Sequence, residues 1–304
     1  MPKPLAVSFE FFPPSDAAMA LQLWQAVQRL GTLEPKFVSV TYGADGSTRE
    51  RTHECVLRIL RETHLVVAPH LTCVNATRAE VVRIAADYWR EGIRHLVALR
   101  GDAPDASLDT GGHYRPQSNG FAYASDLVRG LTAVGAFDIS VAAYPEGHPE
   151  TAGVAVDIEN LRRKVDAGAT RAITQFFFDN DKFLRYRDRC IAAGIHVNIV
   201  PGILPITRLP QLLKFAARCG ADVPAWLRQR FEGLDEDPGT RHMIAAHLAI
   251  EQVERLRRHG VEEFHFYTLN RAELTFAICH AMGMRPAVNA APGAAAAAAD
   301  ARVA

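Results

Sequence analysis

Behind its first apolar run this sequence carries no GxGxxG, and nowhere does it carry a CxxC pair or an apolar stretch of membrane-spanning length. The missing glycine motif argues against a dinucleotide-binding open sheet. Five scattered cysteines (Cys55, Cys73, Cys190, Cys219 and Cys279) give no disulfide framework and predict free thiols in a reduced, cytoplasmic setting. No signal-peptide pattern precedes Leu5, so export and membrane insertion are not expected. Net charge is lacking too. Thirty-four basic residues balance thirty-four acidic ones, which disfavours a general nucleic-acid or anionic-membrane binder. His70 and Cys73 have a metal-ligand spacing, but no second pair follows them, and no metal site is expected.

What is present is a large apolar fraction, 48% of 304 residues, set out in alternating β-prone and helical stretches. Strands are expected at the opening run, 37–42, 65–71, 94–99, 138–144, 171–177, 196–200 and 263–268. Helices are expected over 16–30, 49–62, 77–92, 123–134, 157–167, 180–193, 209–218, 241–259 and 271–282, with a short segment at 224–226. Thr77 followed by Glu80 is a capping-box pattern, and Val81, Ile84, Ala85 and Tyr88 form the stripe behind it. Eight strands alternating with helices over about 280 residues match the size of a (β/α)8 TIM barrel. A doubly wound sheet is the competing architecture. The barrel is expected over 1–286, followed by an Ala-rich, disordered tail over 287–304. Residues 103–120 read as a long loop, of a length that is usually functional or mobile.

In a barrel, function gathers at the carboxyl ends of the strands. Those ends carry Glu10, Thr41-Tyr42, His70 to Thr72, Arg100 to Asp102, Tyr144 to His148, Gln175 and Tyr267 to Arg271. The opposite ends carry charges such as Lys36, Arg94 and Asp138, read as solvated. Glu10 sits among phenylalanines before Pro13-Pro14. Lost hydration among phenyl rings is expected to raise its pKa, so that it holds a proton near neutral pH. A helix cap or a rim salt bridge is the alternative use of this carboxylate. Arg100 and Asp102 could pair with each other, and Tyr144 and His148 could be packed core groups. Arg163 and Lys164 lie where a helix would be charged in any case. Gln175, flanked by apolar residues, needs amide partners that a planar ligand can supply.

The stretches SFEFFPP (8–14), KFVSVTYGA (36–44), APHLTC (68–73), ALRGD (98–102) and YASDL (123–127) resemble the methylenetetrahydrofolate reductase family. So do AAYPEGHPE (142–150), ITQFFFD (173–179), PGILPI (201–206) and FHFYTLNRAE (264–273). The resemblance spans about residues 6–286. It implies a barrel that binds FAD and reduces 5,10-methylenetetrahydrofolate to 5-methyltetrahydrofolate with NADH or NADPH, supplying methyl groups for methionine synthesis. It also implies a ping-pong order and a homo-oligomer, a tetramer in bacterial members.

Carried over position by position, Glu10 resembles the family's general acid and Asp102 the aspartate near both flavin and pterin. Gln175, Phe215 and Thr41 resemble nicotinamide-side residues, Gln175 later meeting the pterin. Gln211, Arg271 and Tyr267 resemble folate-side residues. FAD contacts would fall on Tyr42, Ala44, His70, Arg100, Gly101, Asp102, Tyr123, Ala124, Tyr144, His148, Asp157, Asn160, Arg163 and Lys164. The segment 103–120 looks longer than the family's connection, and the neighbourhood of Thr151 varies. With the sequence stopping at 304, control by S-adenosylmethionine through an appended regulatory domain, as in eukaryotic relatives, is not expected.

The implied chemistry needs a proton from Glu10 to open the folate's five-membered ring, and a negative charge at Asp102 to stabilise the resulting cation. Three other readings are weighed. A proline-oxidising flavin barrel would differ in its substrates. A zinc methyltransferase would need clustered ligands. A non-enzymatic folate or flavin binder would show no NADH-driven bleaching.

Overall fold

The computed structural model describes residues 5–42, 49–102, 116–206 and 208–287. Within it the chain alternates strand and helix: β1 (Ala6–Phe11), α1 (Ala17–Gly31), β2 (Val38–Val40), α2 (Arg49–Glu62), β3 (Val67–Thr72), α3 (Arg78–Arg90) and β4 (His95–Leu99). There follow α4 (Ala124–Thr132), β5 (Asp138–Ala143), α5 (Val154–Asp166), β6 (Arg171–Thr174), α6 (Asn180–Ala192), β7 (Asn198–Val200) and β8 (Gly202–Ile203). The rest is α7 (Leu209–Cys219), α8 (Ala225–Phe231), α9 (Pro238–Arg258), β9 (Glu263–Tyr267) and α10 (Glu273–Ala281).

All strand pairs are parallel, in the order β7-β6-β5-β4-β3-β2-β1-β9-β8. The expected seventh strand is present but runs past Pro201 as two pieces. Proline has no N–H to give a ladder, so pairing breaks there. The first piece pairs with β6 and the second with β9. Pro201 O accepts from His265 N at 3.0 Å between them. The sheet therefore closes through one kinked strand, and the fold is a (β/α)8 barrel.

Local signals explain the helix ends. Asp16 accepts from Met19 N at 2.8 Å and starts α1. The expected capping box closes at α3, where Thr77 N donates to Glu80 Oε2 at 2.7 Å and Glu80 N to Thr77 Oγ1 at 3.2 Å. Val81, Ala85 and Tyr88 are buried behind it, Ile84 partly so. Helix α5 begins three residues earlier than expected, after Gly153, whose φ of 120° suits a residue without Cβ.

Strand residues alternate between two cores. Val7, Phe9, Val38, Val40, Val67, Ile139 and Val141 face the helices. Phe37, Ala68, Val97, Ile173 and Val200 form a separate cluster that plugs the barrel interior. Below the plug, Arg171 meets Glu263 at 3.2 Å and Asp138 at 3.3 Å, Lys36 meets Glu263 at 2.7 Å, and His95 meets Asp138 at 3.2 Å. Lys36 and Asp138 thus belong to a half-buried ion network and are not simply solvated charges. Arg94 instead lies over the Trp89 ring, 3.7 Å from its centroid.

Candidate active site

Above the plug, at the carboxyl ends of the strands, lies a cavity of about 950 Å³. That is near the upper end for small-molecule sites, roughly 300–1,000 Å³. Its lining brings together Glu10, Thr41, Tyr42, His70, Arg100, Gly101, Asp102, Tyr123, Ala124, Tyr144, His148, Asp157, Asn160, Arg163, Lys164, Gln175, Phe215 and Tyr267. Of the residues singled out in the sequence, Gln211 and Arg271 are exposed and do not line it. Gln211 sits one turn before Phe215 on α7, and Arg271 lies two residues beyond Leu269, which does line it. Ala44, and most of the 103–120 loop, fall outside the described residues.

Glu10 departs from its expected surroundings. Phe9 and Phe11 alternate away toward the helices, so the carboxylate meets imidazoles and not phenyl rings. His70 Nε2 is 3.3 Å and His265 Nε2 3.5 Å from Glu10 Oε2. Burial alone would raise this carboxyl, but the hydrogen bonds and charges of His265 and His70 outweigh it and hold the group at about 2. The expected upward shift is therefore reversed in the ligand-free chain. Neither a helix cap nor a rim salt bridge describes the site either. His265 is fully buried, and its Nδ1 lies 2.8 Å from Ser8 Oγ.

His265 did not figure among the residues singled out, which were taken from the strand ends. A signal was present one pair further down. Glu263, His265 and Tyr267 alternate with Phe264 and Phe266, the period of a strand with a polar inner face.

On the opposite wall the cations gather. Arg100 does not pair with Asp102; its guanidinium grips Glu150 through two bonds of 2.7 and 3.0 Å. Lys164, expected on a charged outer face, is buried, and its Nζ donates to Ala142 O at 2.5 Å. Burial is the main cause that lowers its pKa to about 8, with Asp157 opposing and Arg100 assisting. Asp157 Oδ2 accepts from His148 N and Thr151 Oγ1, both at 2.8 Å, and so pins the loop after β5. Tyr144 stands edge-on to His148, their centroids 4.8 Å apart. Burial pushes the Tyr144 hydroxyl up, so it stays protonated.

The third side is shaped by close approach. Tyr267 Oη donates to Thr174 O at 2.7 Å, and its ring lies across Gly202. A Cβ at Gly202 would stand 2.6 Å from that ring and 2.2 Å from Thr174 O. Gln175 Oε1 accepts from Phe176 N at 3.0 Å, which leaves the amide NH2 as its remaining donor. At the base of the cavity Thr72 Oγ1 is buried and has no hydrogen-bond partner among the described residues. Among the described residues no group of three or more His, Cys, Asp or Glu is placed to hold a metal ion. No helix among them is long and apolar enough to cross a membrane.

The family model described as methylenetetrahydrofolate reductase matches residues 2–283. A 5,10-methylenetetrahydrofolate reductase of Pectobacterium carotovorum is 55% identical over 282 residues, 93% of this chain and 91% of the relative. That of Escherichia coli K12 is 55% identical over 280 residues, 92% of this chain and 91% of the relative. Methylenetetrahydrofolate reductase (NADH) 1 of Arabidopsis thaliana is 34% identical over 92% of this chain, which spans about half (48%) of that longer relative. Among solved structures, an uncharacterized Clostridium thermocellum protein described as binding two copies of 5-methyl-5,6,7,8-tetrahydrofolic acid aligns with a TM-score of 0.59. It covers 91% of this chain and 94% of its own at 12% identity, a likeness of fold alone.

Proposed function

The chain belongs to the methylenetetrahydrofolate reductase family and is an oxidoreductase of that kind; from this premise we propose that it works with FAD, NADH or NADPH, and one shared cavity. The observation that carries the proposal is that a single cavity collects nearly every residue the chemistry requires, with one carboxylate at its inner end between two imidazoles.

The donor set fits a flavin dinucleotide. Arg100, Arg163 and Lys164 offer positive charge for phosphates on one wall. Tyr42, Tyr123, Ala124, Tyr144, His148, Asp157, Asn160, Gly101 and Asp102 complete that side, and the unpartnered Thr72 hydroxyl and His70 lie at the base. When bound, FAD supplies a two-electron carrier that accepts hydride from the nicotinamide and passes hydride to the folate. Ala44 is proposed to join this wall.

The remaining work falls to side chains. Thr41, Gln175 and Phe215 orient the nicotinamide against one face, and Gln175, Tyr267 and Asp102 then orient the pterin in the same space. Gln211 and Arg271, beyond the cavity lining, are proposed to meet the distal part of the folate. Because the two substrates occupy one space in turn, the kinetics are ping-pong. Protonation of folate N10 from Glu10 weakens its bond to the methylene bridge and opens the ring to a 5-iminium cation, an assistance of roughly 10²–10⁴-fold. The Asp102 carboxylate stabilises that cation electrostatically.

Separate half-reactions test the reading. The purified chain is expected to be yellow and to bleach with NADH under anaerobic conditions. Glu10→Gln should keep that bleaching and lose reoxidation by methylenetetrahydrofolate by at least roughly a hundredfold. Equal loss of both half-reactions would remove Glu10 from the acid's role. The reaction belongs where methyl groups for methionine are made, and a homo-oligomer is proposed, testable by light scattering.

A further inference from the structure

Helix α6 opens with a lysine where a helix disfavours one. Lys182 sits in its first turn, behind the Asp179 cap, and a cation there opposes the helix dipole. Local helix stability does not account for it, but its partners do. We propose that Lys182 is a positioning residue for the nicotinamide side of the cavity, clasping the loop after β5 to the end of α7 and so fixing where Phe215 stands. This rests on the reading of Phe215 as a residue that orients the nicotinamide.

The clasp has three members from three parts of the chain. Lys182 Nζ donates to Glu146 Oε1 and to Asp222 Oδ2, both at 2.9 Å. The second Glu146 oxygen accepts from Asp222 N at 2.8 Å. The Glu146 side chain, in the loop after β5, is only 9% exposed, so both its oxygens need donors. Burial would lower the Lys182 amine, but its bonds to Asp222 and Glu146 outweigh that and raise it, so it stays charged. Without the amine, the carboxylate keeps one donor and is drawn toward water, and its hold on Asp222 N loosens.

Asp222 stands three residues beyond α7, whose Phe215 and Cys219, one turn apart, both line the cavity. Helix α7 packs in a second, smaller core, Leu212 and Ala216 with Leu227 and Phe231, separate from the larger core behind β4 and β5. Its tie to the flavin wall is therefore made at the turn that follows it. Gly220, at a φ of 69°, lets that turn lie directly on the loop. A Cβ at Gly220 would stand 2.8 Å from the Pro149 ring. The turn thus meets the loop at Glu146 and at Pro149, on either side of His148.

The loop does not need the clasp to hold its flavin side. Asp157 accepts from His148 N and Thr151 Oγ1, and Arg100 grips Glu150. Opening the clasp should therefore free α7 and leave the flavin wall in place.

The test is anaerobic bleaching of the flavin-loaded chain over a range of NADH concentrations. Lys182→Met is expected to raise the NADH concentration at half the limiting rate roughly tenfold. The limiting rate and the flavin affinity should stay within about twofold of the parent, the pattern of lost binding and not of lost chemistry. Lys182→Arg, which can span the same two carboxylates, should restore half-saturation toward the parent value. Gly220→Ala, which pushes the same turn off Pro149, should raise half-saturation too, and it decides the matter if Lys182→Met does not fold. An unchanged half-saturation, a change confined to the limiting rate, or loss of flavin from Lys182→Met overturns the proposal. Phe215→Ala separates it from the reading it rests on. Half-saturation raised there and not in Lys182→Met ends the clasp and leaves Phe215 in its role, whereas an unchanged value in Phe215→Ala removes both.

Discussion

Lys164 shows how far a single residue's position decides its chemistry. On the sequence it belongs, with Arg163, to a helix face that would be charged in any case. In α5, Asp157, Ile158, Leu161 and Lys164, spaced i, i+1, i+4 and i+7, lie on the buried face together. The folded value of about 8 lies below the ordinary 10.5, so between those limits the unfolded chain holds a proton that the folded chain has lost. Stability should therefore rise with pH across that window, by up to roughly 3 kcal/mol at about 1.4 per unit. In Lys164→Met that rise should disappear from melting curves of the cofactor-free chain, and flavin affinity should fall. A Tm profile with the same slope as the parent would contradict the assignment of the slope to this amine.

At the scale of elements, the strand ends were legible because a parallel barrel turns every one of them to the same rim. Glu10, His70, Arg100, Tyr144, Gln175 and Tyr267 were all found that way. What stayed hidden lay one alternation deeper, as with His265, or depended on who partners whom. Nothing in the spacing of Arg100 and Asp102 reveals that Glu150, fifty residues on, takes the guanidinium. Gln211 shows the converse, a residue one helical turn before the cavity-lining Phe215 that is exposed and stands outside the lining. Gly202 is the element-scale residue with the sharpest consequence. Gly202→Ala would push a methyl into the Tyr267 ring and the Thr174 carbonyl. We expect the strand to shift at a cost of about 1–3 kcal/mol, the range for overpacking, with KM for folate raised more than flavin bleaching is slowed. Steady-state kinetics beside a melting curve would show it, and an unchanged KM would mean that Tyr267 does not orient the substrate.

For the molecule as a whole, the count of alternating segments was enough to favour a closed barrel over an open sheet, but not to foresee the internal ion network. Lys36, Asp138, Arg171 and Glu263 look like surface charges when read one at a time. They come together only because β5, β6, β9 and the bend before β2 place them in one layer. Without Arg171, Glu263 keeps Lys36 and Asp138 keeps His95, and Arg171→Met is expected to cost about 1–3 kcal/mol. Chemical denaturation should show that loss, while the flavin-loaded variant keeps its folate pH profile, because Phe37 and its apolar neighbours stand between this layer and Glu10. A shifted profile would show that the two ends of the barrel communicate.

The kink at Pro201 has a bearing on how the molecule comes apart. Gly202 N donates to Thr174 Oγ1 at 2.9 Å, and Tyr267 reaches the carbonyl of that same threonine, so the join of the cylinder and the substrate wall are made of the same few atoms. When heat or denaturant loosens this join, bound dye should escape while the helices are still wound, and colour will fade before circular dichroism does.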